Sequence, residues 1–308
     1  MANYIRAVAK YYYHKFYQKF HYETFKILIN QGRIQAERNR TKEIGHLEEV
    51  EFQVFSQRGE DGILQYIINR IDIPNRIFIE FGVENYTESN SRFLLIANNW
   101  SGLVLDGDAR NIRFIRSDYI YWKYDLIAYQ SFVTKENING LIRQYTDCRD
   151  IGLLSVDIDG NDYWLWEAID IIEPRVVVCE YNSAFGPVET VSVPYQADFD
   201  RTRAHYSNLY FGASLSALCH LAEKKGYDFI GTAGAGVNAF FIRKDLSGPF
   251  RKCDPVKDFR QSINRDSKAK NGRNSFMLHH ERLPLIQELP LVDVRTGKSG
   301  LIKDLYQL

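Results

Sequence analysis

The sequence predicts an α/β fold: a mostly parallel central sheet, an antiparallel final hairpin, and a helical extension at the N-terminus. Three observations predict it. Apolar runs end abruptly in acids, as in Leu153-Leu154-Ser155-Val156 followed by Asp157-Ile158-Asp159-Gly160-Asn161-Asp162. Such runs alternate with helix-like stretches. The last two runs lie close together and are joined across Gly231–Gly236. Strands covered by helices on both faces read as continuous apolar runs, and strands joined by a short turn must run antiparallel.

Residues 1–45 form the extension. Tyr11, Tyr12, Tyr13, Phe16, Tyr17 and Phe20 are interleaved with Lys10, Lys15 and Lys19 at helical spacing. Such a helix packs on the main domain or a partner subunit, or lies on an anionic membrane surface through residues 1–30, where aromatic and basic residues sit among headgroups. Its charge is too sparse to favour nucleic acid. The main domain spans residues 46–250. A loop, Ser56 to Gly62, feeds a helix that Pro74 breaks. Ile77 to Phe81 is the first strand, and Gly82 at its tip lets the backbone turn tightly and a ligand approach closely. A helix from Ser91 to Asn98 leads into the second strand, Ser101 to Leu105, ending in Asp106-Gly107-Asp108. Helical Arg110 to Arg116, a short third strand from Ile127 to Phe132 and a helix from Lys135 to Tyr145 follow. The fourth strand is the opening run. A helix from Tyr163 to Ile172 then precedes the fifth strand, Val176 to Cys179 with Glu180 and Asn182 at its tip. Residues 183–211 lack regular pattern and read as a lid, because a structureless stretch of that length in a compact domain usually binds something. An amphipathic helix to Lys225 precedes the hairpin of Tyr227–Ile230 and Ala239–Ile242. Residues 251–308 are a basic, irregular extension with one short helical piece before Pro284.

Composition removes several classes of function. The 308 residues carry 39 basic and 39 acidic side chains, so no global charge calls for nucleic acid. No apolar run is long enough to span a membrane, and no signal peptide is visible. The four cysteines lack CxxC spacing and read as reduced thiols of a cytoplasmic protein, peripheral to the inner face of a membrane if the first helix binds lipid.

The strand tips aim Asp157, Asp159, Asp162, Glu180 and Asn182 at one crevice. Ligands of open α/β sheets bind outside the carboxyl ends of the strands. Crowded carboxylates repel unless a cation, a proton or a donor-rich ligand relieves them.

These motifs together resemble the class I S-adenosylmethionine-dependent methyltransferases, and within them the FkbM-type group. The likeness rests on Phe78-Ile79-Glu80-Phe81-Gly82, Asp106-Gly107-Asp108, Ser155 to Asp162, Val178-Cys179-Glu180-Tyr181-Asn182, Gly226-Tyr227 and Asn238-Ala239-Phe240-Phe241, and covers residues 50 to 245. It implies a Rossmann-like sheet and O-methylation of a glycan, a glycolipid or a sugar-bearing metabolite. It further implies that Glu80, Gly82 and Asp157 line the cofactor, that Asp106 holds its ribose, and that Ser131 and Phe132 flank its adenine. Metal-dependent members place ligands at the fourth and fifth tips. That pattern puts Asp159, Glu180 and Asn182 on Mg²⁺ and Asp162 in the place of the base, with His205 on the lid as the competing base. Tyr195, Tyr206 and Tyr210 would stack on a sugar or anchor the lid. In place of the further glycines usual in the first loop, this chain has Val83-Glu84-Asn85-Tyr86. A single glycine without GxGxxG is a poor pyrophosphate cradle, which weighs against NAD or a nucleotide-sugar. A non-catalytic scaffold of the same fold is the other reading, and the chain could self-associate.

Overall fold

Five parallel strands form the centre of the chain, in a computed structural model that describes residues 23–308. They are β1 (Ile77–Phe81), β2 (Ser101–Asp106), β3 (Leu126–Gln130), β4 (Leu153–Val156) and β5 (Val176–Glu180). β6 (Val191–Ser192) belongs elsewhere, and β7 (Tyr227–Thr232) and β8 (Asn238–Arg243) complete the main sheet. Its order is β3-β2-β1-β4-β5-β8-β7, with β8 antiparallel to both neighbours. The order reverses between β1 and β4, the topological switch point where such sheets bind ligands. There Glu80 pairs in register with Val104 on one side and Ser155 on the other.

The helices are α1 (residues 23–39), α2 (Glu60–Ile68), α3 (Arg92–Asn98), α4 (Ala109–Ser117), α5 (Tyr119–Lys123), α6 (Ile138–Tyr145), α7 (Asp162–Ala168), α8 (Arg201–Ala204), α9 (Leu215–Lys225), α10 (His279–Leu285) and α11 (Ile302–Tyr306). Successive strand residues face opposite sides, and the two faces bury separate cores. Phe78, Val104, Val178 and Phe240 pack with α2 and α3. Ile79, Leu105, Val177 and Phe241 pack with α7 and α9. Ser214 caps α9 by accepting from Ala217 N, and Gly226 ends it in a left-handed turn.

Two regions differ from the sequence reading. Residues 183–211 are ordered, and the tail contains two strands, β9 (Pro290–Asp293) and β10 (Ser299–Leu301). β9 pairs antiparallel with β6 of the predicted lid, Val191 against Asp293. A third core, with Phe185, Val193, Tyr210, Leu291 and Ile302, holds lid and tail together. Each strand is too short to announce itself by alternation, because the stabilising contacts come from a hundred residues away. The short helix α10 runs one residue past Pro284 rather than stopping before it.

The described part of the N-terminal helix packs on the main domain. Ile29 is buried, Arg33 donates to the Ala97 carbonyl at 2.8 Å, and the Phe25 and Phe55 rings lie 5.8 Å apart. The aromatic-basic segment over residues 1–22 lies outside the described residues. Among the described residues no helix is long and apolar enough to cross a membrane, and all four cysteines are free.

Candidate functional site

Gly82 fixes the geometry of the crevice. Its φ is +71°, and a Cβ built there would lie 1.6 Å from the Asp157 carbonyl oxygen. The exits of β1 and β4 therefore touch through bare backbone, which only glycine permits. The following loop has no further glycine, yet Glu84 (φ +47°) and Tyr86 (φ +63°) are both left-handed. Each such residue stores on the order of 1 kcal/mol or more of strain. The loop tolerates it because Tyr86 is fully buried, with its hydroxyl 2.9 Å from Ser91 Oγ, and because Glu84 N donates to Asp106 at 2.9 Å. The turns that glycines would make are thus made by anchored side chains.

Two cavities meet at Gly82, Glu84, Asp157 and Asp159. The smaller, about 200 Å³, is lined by Gly82, Asp106, Ser131, Phe132 and Asp157, with Phe199 closing it. These are five of the six residues singled out for the cofactor. Asp106 accepts from Glu84 N through one oxygen, and from Asp108 N and Asn111 Nδ2 through the other. The first oxygen thus has one donor and the second has two. Glu80, the sixth residue, lines the larger cavity and is held by Ser89 Oγ at 2.6 Å, by Asn90 N and Ser91 N, and by Ser91 Oγ. Burial still pushes its carboxyl above the ordinary range. Its role in this geometry is to hold the loop after β1 closed over the strand tips.

The larger cavity, about 330 Å³, contains the acids. Burial, and then the charges of neighbouring acids, push Asp157 and Glu180 well above the usual carboxylate range. Two buried carboxyls this crowded resist ionising together. Asp162 is fully buried, its oxygens accept from Ile158 N at 2.8 Å and Gly160 N at 2.9 Å, and burial pushes it up to about 6. It fixes the turn after β4.

Of the other predicted side chains, Asp159 and Asn182 also line the larger cavity. Asp159, left-handed at φ +55°, turns outward to Arg201, with 2.6 Å between them. Asn182 accepts from Ala184 N and donates to the Leu209 and Phe211 carbonyls, stapling the lid to β5. His205 sits on the lid with Nδ1 2.7 Å from Ser207 Oγ, and burial lowers its pKa. Tyr195 donates to Glu136 at 2.5 Å, Tyr206 packs on His205 with ring centres 4.3 Å apart, and Tyr210 donates to the Pro290 carbonyl at 2.5 Å. Neither His205 nor these three tyrosines line either cavity.

The donor set fits a hard cation. Oxygens of Asp157, Asp162 and Glu180 lie within 4.8 Å of one another, and Glu180 Oε2 is buried without a hydrogen-bond partner. Mg²⁺ takes one or two carboxylates and completes its shell with water or substrate oxygens.

Sequence reasoning missed the far wall of the larger cavity. Arg201, Asn238, Ser262, Asn264, Asp266 and Arg282 line it. Arg201 packs over the Phe211 ring at 3.9 Å, and its guanidinium reaches Asn208 O, Asp159 and Asp266. The one available signal was the run of polar and basic residues in a tail otherwise rich in breakers.

No family model matches the chain, and no curated protein does. Solved structures do resemble it in part. An O-methyltransferase from Bacillus cereus in complex with SAH is 11% identical, over 54% of this chain and 72% of that one, with a TM-score of 0.36. The N-terminal domain of EvdMO1 with SAH bound is 10% identical, over 54% and 72%, with a TM-score of 0.36. The precorrin-6y C5,15-methyltransferase from Geobacter metallireducens is 12% identical, over 62% and 90%, with a TM-score of 0.35.

Proposed function

We propose that this protein is an S-adenosylmethionine-dependent O-methyltransferase of the FkbM type, acting on a hydroxyl of a glycan, a glycolipid or a sugar-bearing metabolite. The observation that carries the reading is the junction of the two cavities. A nucleoside-sized space beside Asp106, Ser131 and Phe132 opens, past Gly82, onto a cluster of buried carboxyls held above their usual range. S-adenosylmethionine supplies a methyl group on a cationic sulfonium, and an acid-lined, phosphate-free cleft suits that charge.

In this reading Asp106 accepts a ribose hydroxyl, and Ser131 and Phe132 border the adenine. Methyl transfer to oxygen requires removal of the acceptor's proton. Asp157 and Glu180 take it, since burial and mutual repulsion raise their affinity for a proton. Asp162, the base suggested by motif spacing, is screened by full burial and acts by holding the turn that presents Asp157. Lid and tail exclude water, which strengthens every electrostatic contact inside. A divalent cation would relieve the same repulsion, held by Asp157, Glu180 and Asp162, and would lower the pKa of a coordinated hydroxyl.

A non-catalytic scaffold is favoured by one feature, the three hydrogen bonds already made by Asp106. Calorimetric titration with S-adenosylmethionine and S-adenosylhomocysteine, with and without Mg²⁺ and with NAD as control, tests both readings. Micromolar binding of S-adenosylhomocysteine, about −8 kcal/mol, supports the enzyme, and an acceptor screen then separates it from a scaffold. A folded sample that binds neither sinks the cofactor assignment.

A further inference from the structure

The acceptor-side cavity has two electrostatic walls. The strand-tip wall is acidic. The opposite wall comes from the lid and tail, and it carries the guanidinium groups of Arg201 and Arg282. Arg201 is satisfied by Asn208 O, Asp159 and Asp266. Arg282 is not. It is only 6% exposed, it lines the cavity, and it donates through Nη2 to the Asn264 carbonyl, but its Nε is buried with no hydrogen-bond partner.

A buried guanidinium without a full set of acceptors is costly. Leaving one N–H unsatisfied costs about 1–3 kcal/mol, more where the group is charged. The fold maintains this charge on α10, a helix fixed by a capping contact from Glu281 to Leu278 N and by the third core. Burial lowers the Arg282 pKa, and only Asp266 opposes that among its neighbours while Arg265 and Arg201 add to it. Arg201 pairs with Asp159 and Asp266, whereas Arg282 makes no ion pair with a carboxylate among the described residues.

We propose that Arg282 is an anion subsite for the acceptor, which carries a carboxylate or a phosphate. This rests on the methyltransferase reading for the word acceptor, but the subsite itself does not. Arg is suited to the task because its planar fork matches both oxyanions. Ser262 and Asn264, also on this wall, offer further polar atoms. The acidic wall then meets the hydroxyl to be methylated and the basic wall meets the acid group, which fixes the acceptor's orientation in the cavity.

Thermal unfolding of the full chain tests the subsite with inorganic phosphate and acetate as probes, at constant ionic strength set by chloride. At about ten times the dissociation constant, phosphate or acetate raises the Tm of the wild type by about 2 °C. Arg282→Gln loses the response, and Arg282→Lys, which keeps charge but not the fork, retains only part of it. A response to phosphate alone assigns a phosphoryl acceptor, and a response to acetate alone assigns a carboxylate. Equal Tm in either probe and in chloride overturns the proposal, as does an undiminished response in Arg282→Gln. Should Arg282→Gln fail to fold, ¹⁵N side-chain NMR of the wild type decides, since the Arg282 Nε–H resonance moves on saturation if the subsite exists and stays still if it does not. S-adenosylhomocysteine in the same assay keeps the two readings apart. An anion response without a response to it removes the methyltransferase reading and leaves the subsite standing.

Discussion

The two cavities are made from opposite kinds of chain. The smaller is lined by strand tips and the turns after them, all within residues 82–161 apart from Phe199. The larger draws on those same tips but is walled by residues as distant as Gln57 and Arg282. One is built by local geometry, since a glycine, a turn and a strand end are fixed by their neighbours in sequence. The other is built by tertiary assembly, with a lid strand and a tail strand that are stable only together. The first kind of site tolerates change elsewhere and fails when its own backbone is altered. The second fails when a remote core residue is lost.

The sharpest break of that comparison is Gly82→Ala. The added carbon meets the Asp157 carbonyl and a positive φ, so we expect a loss of more than about 4 kcal/mol in urea unfolding, and loss of S-adenosylhomocysteine binding. An unchanged midpoint would mean that β1 and β4 do not meet as described. Next is Leu291→Ala, fully buried in the lid–tail core. About 3 kcal/mol should be lost. S-adenosylhomocysteine affinity should hold within about twofold, because the third core reaches the smaller cavity through Phe199 alone. Equal damage to both measurements would unite the two regions.

The acid cluster gives a pH signature. Asp157 and Glu180 are held well above the carboxylate range, and Asp162 at about 6. Unfolded carboxyls lose their protons near pH 4. Between pH 5 and pH 8 the native state therefore binds more protons than the unfolded chain, and this cluster's contribution to stability falls as pH rises. We expect a Tm a few degrees lower at pH 8 than at pH 5, with Mg²⁺ recovering more of it at pH 8, where protons no longer compete. A Tm that rises across that window, with no Mg²⁺ effect, would remove the picture of under-compensated acids. The smallest effect is Tyr195→Phe. Its hydroxyl meets an exposed Glu136, so no more than about 0.5 kcal/mol should change, with both cavities unaffected.

The same contrast explains what could be read in the sequence. The parallel core was legible because Val176-Val177-Val178 and Leu153-Leu154 can be little else, and their tips fall where acids begin. Gly82, Asp106, Ser131, Phe132 and Asp157 line one cavity because each ends its strand or follows it by a residue or two. Asp159 lines both cavities too, but its ion pair with Arg201, 42 positions away, has no local signal. Asn182 carries a ligand's chemistry, yet both ends of its amide are used on backbone that only the folded lid brings near. Arg282 had no local signal at all, since its meaning depends on a cavity wall assembled from three separate segments.

The pairing of Val191 with Asp293 also sets an order of events during synthesis. The main sheet has all its strands once residue 243 has left the ribosome, and it can close then. The second sheet must wait for Ser299–Leu301. Until Pro290–Asp293 emerges, the nascent protein therefore carries residues 191–192 paired on one side alone, through Ala213, and a stop before Ser262 removes the tail residues of the larger cavity's far wall.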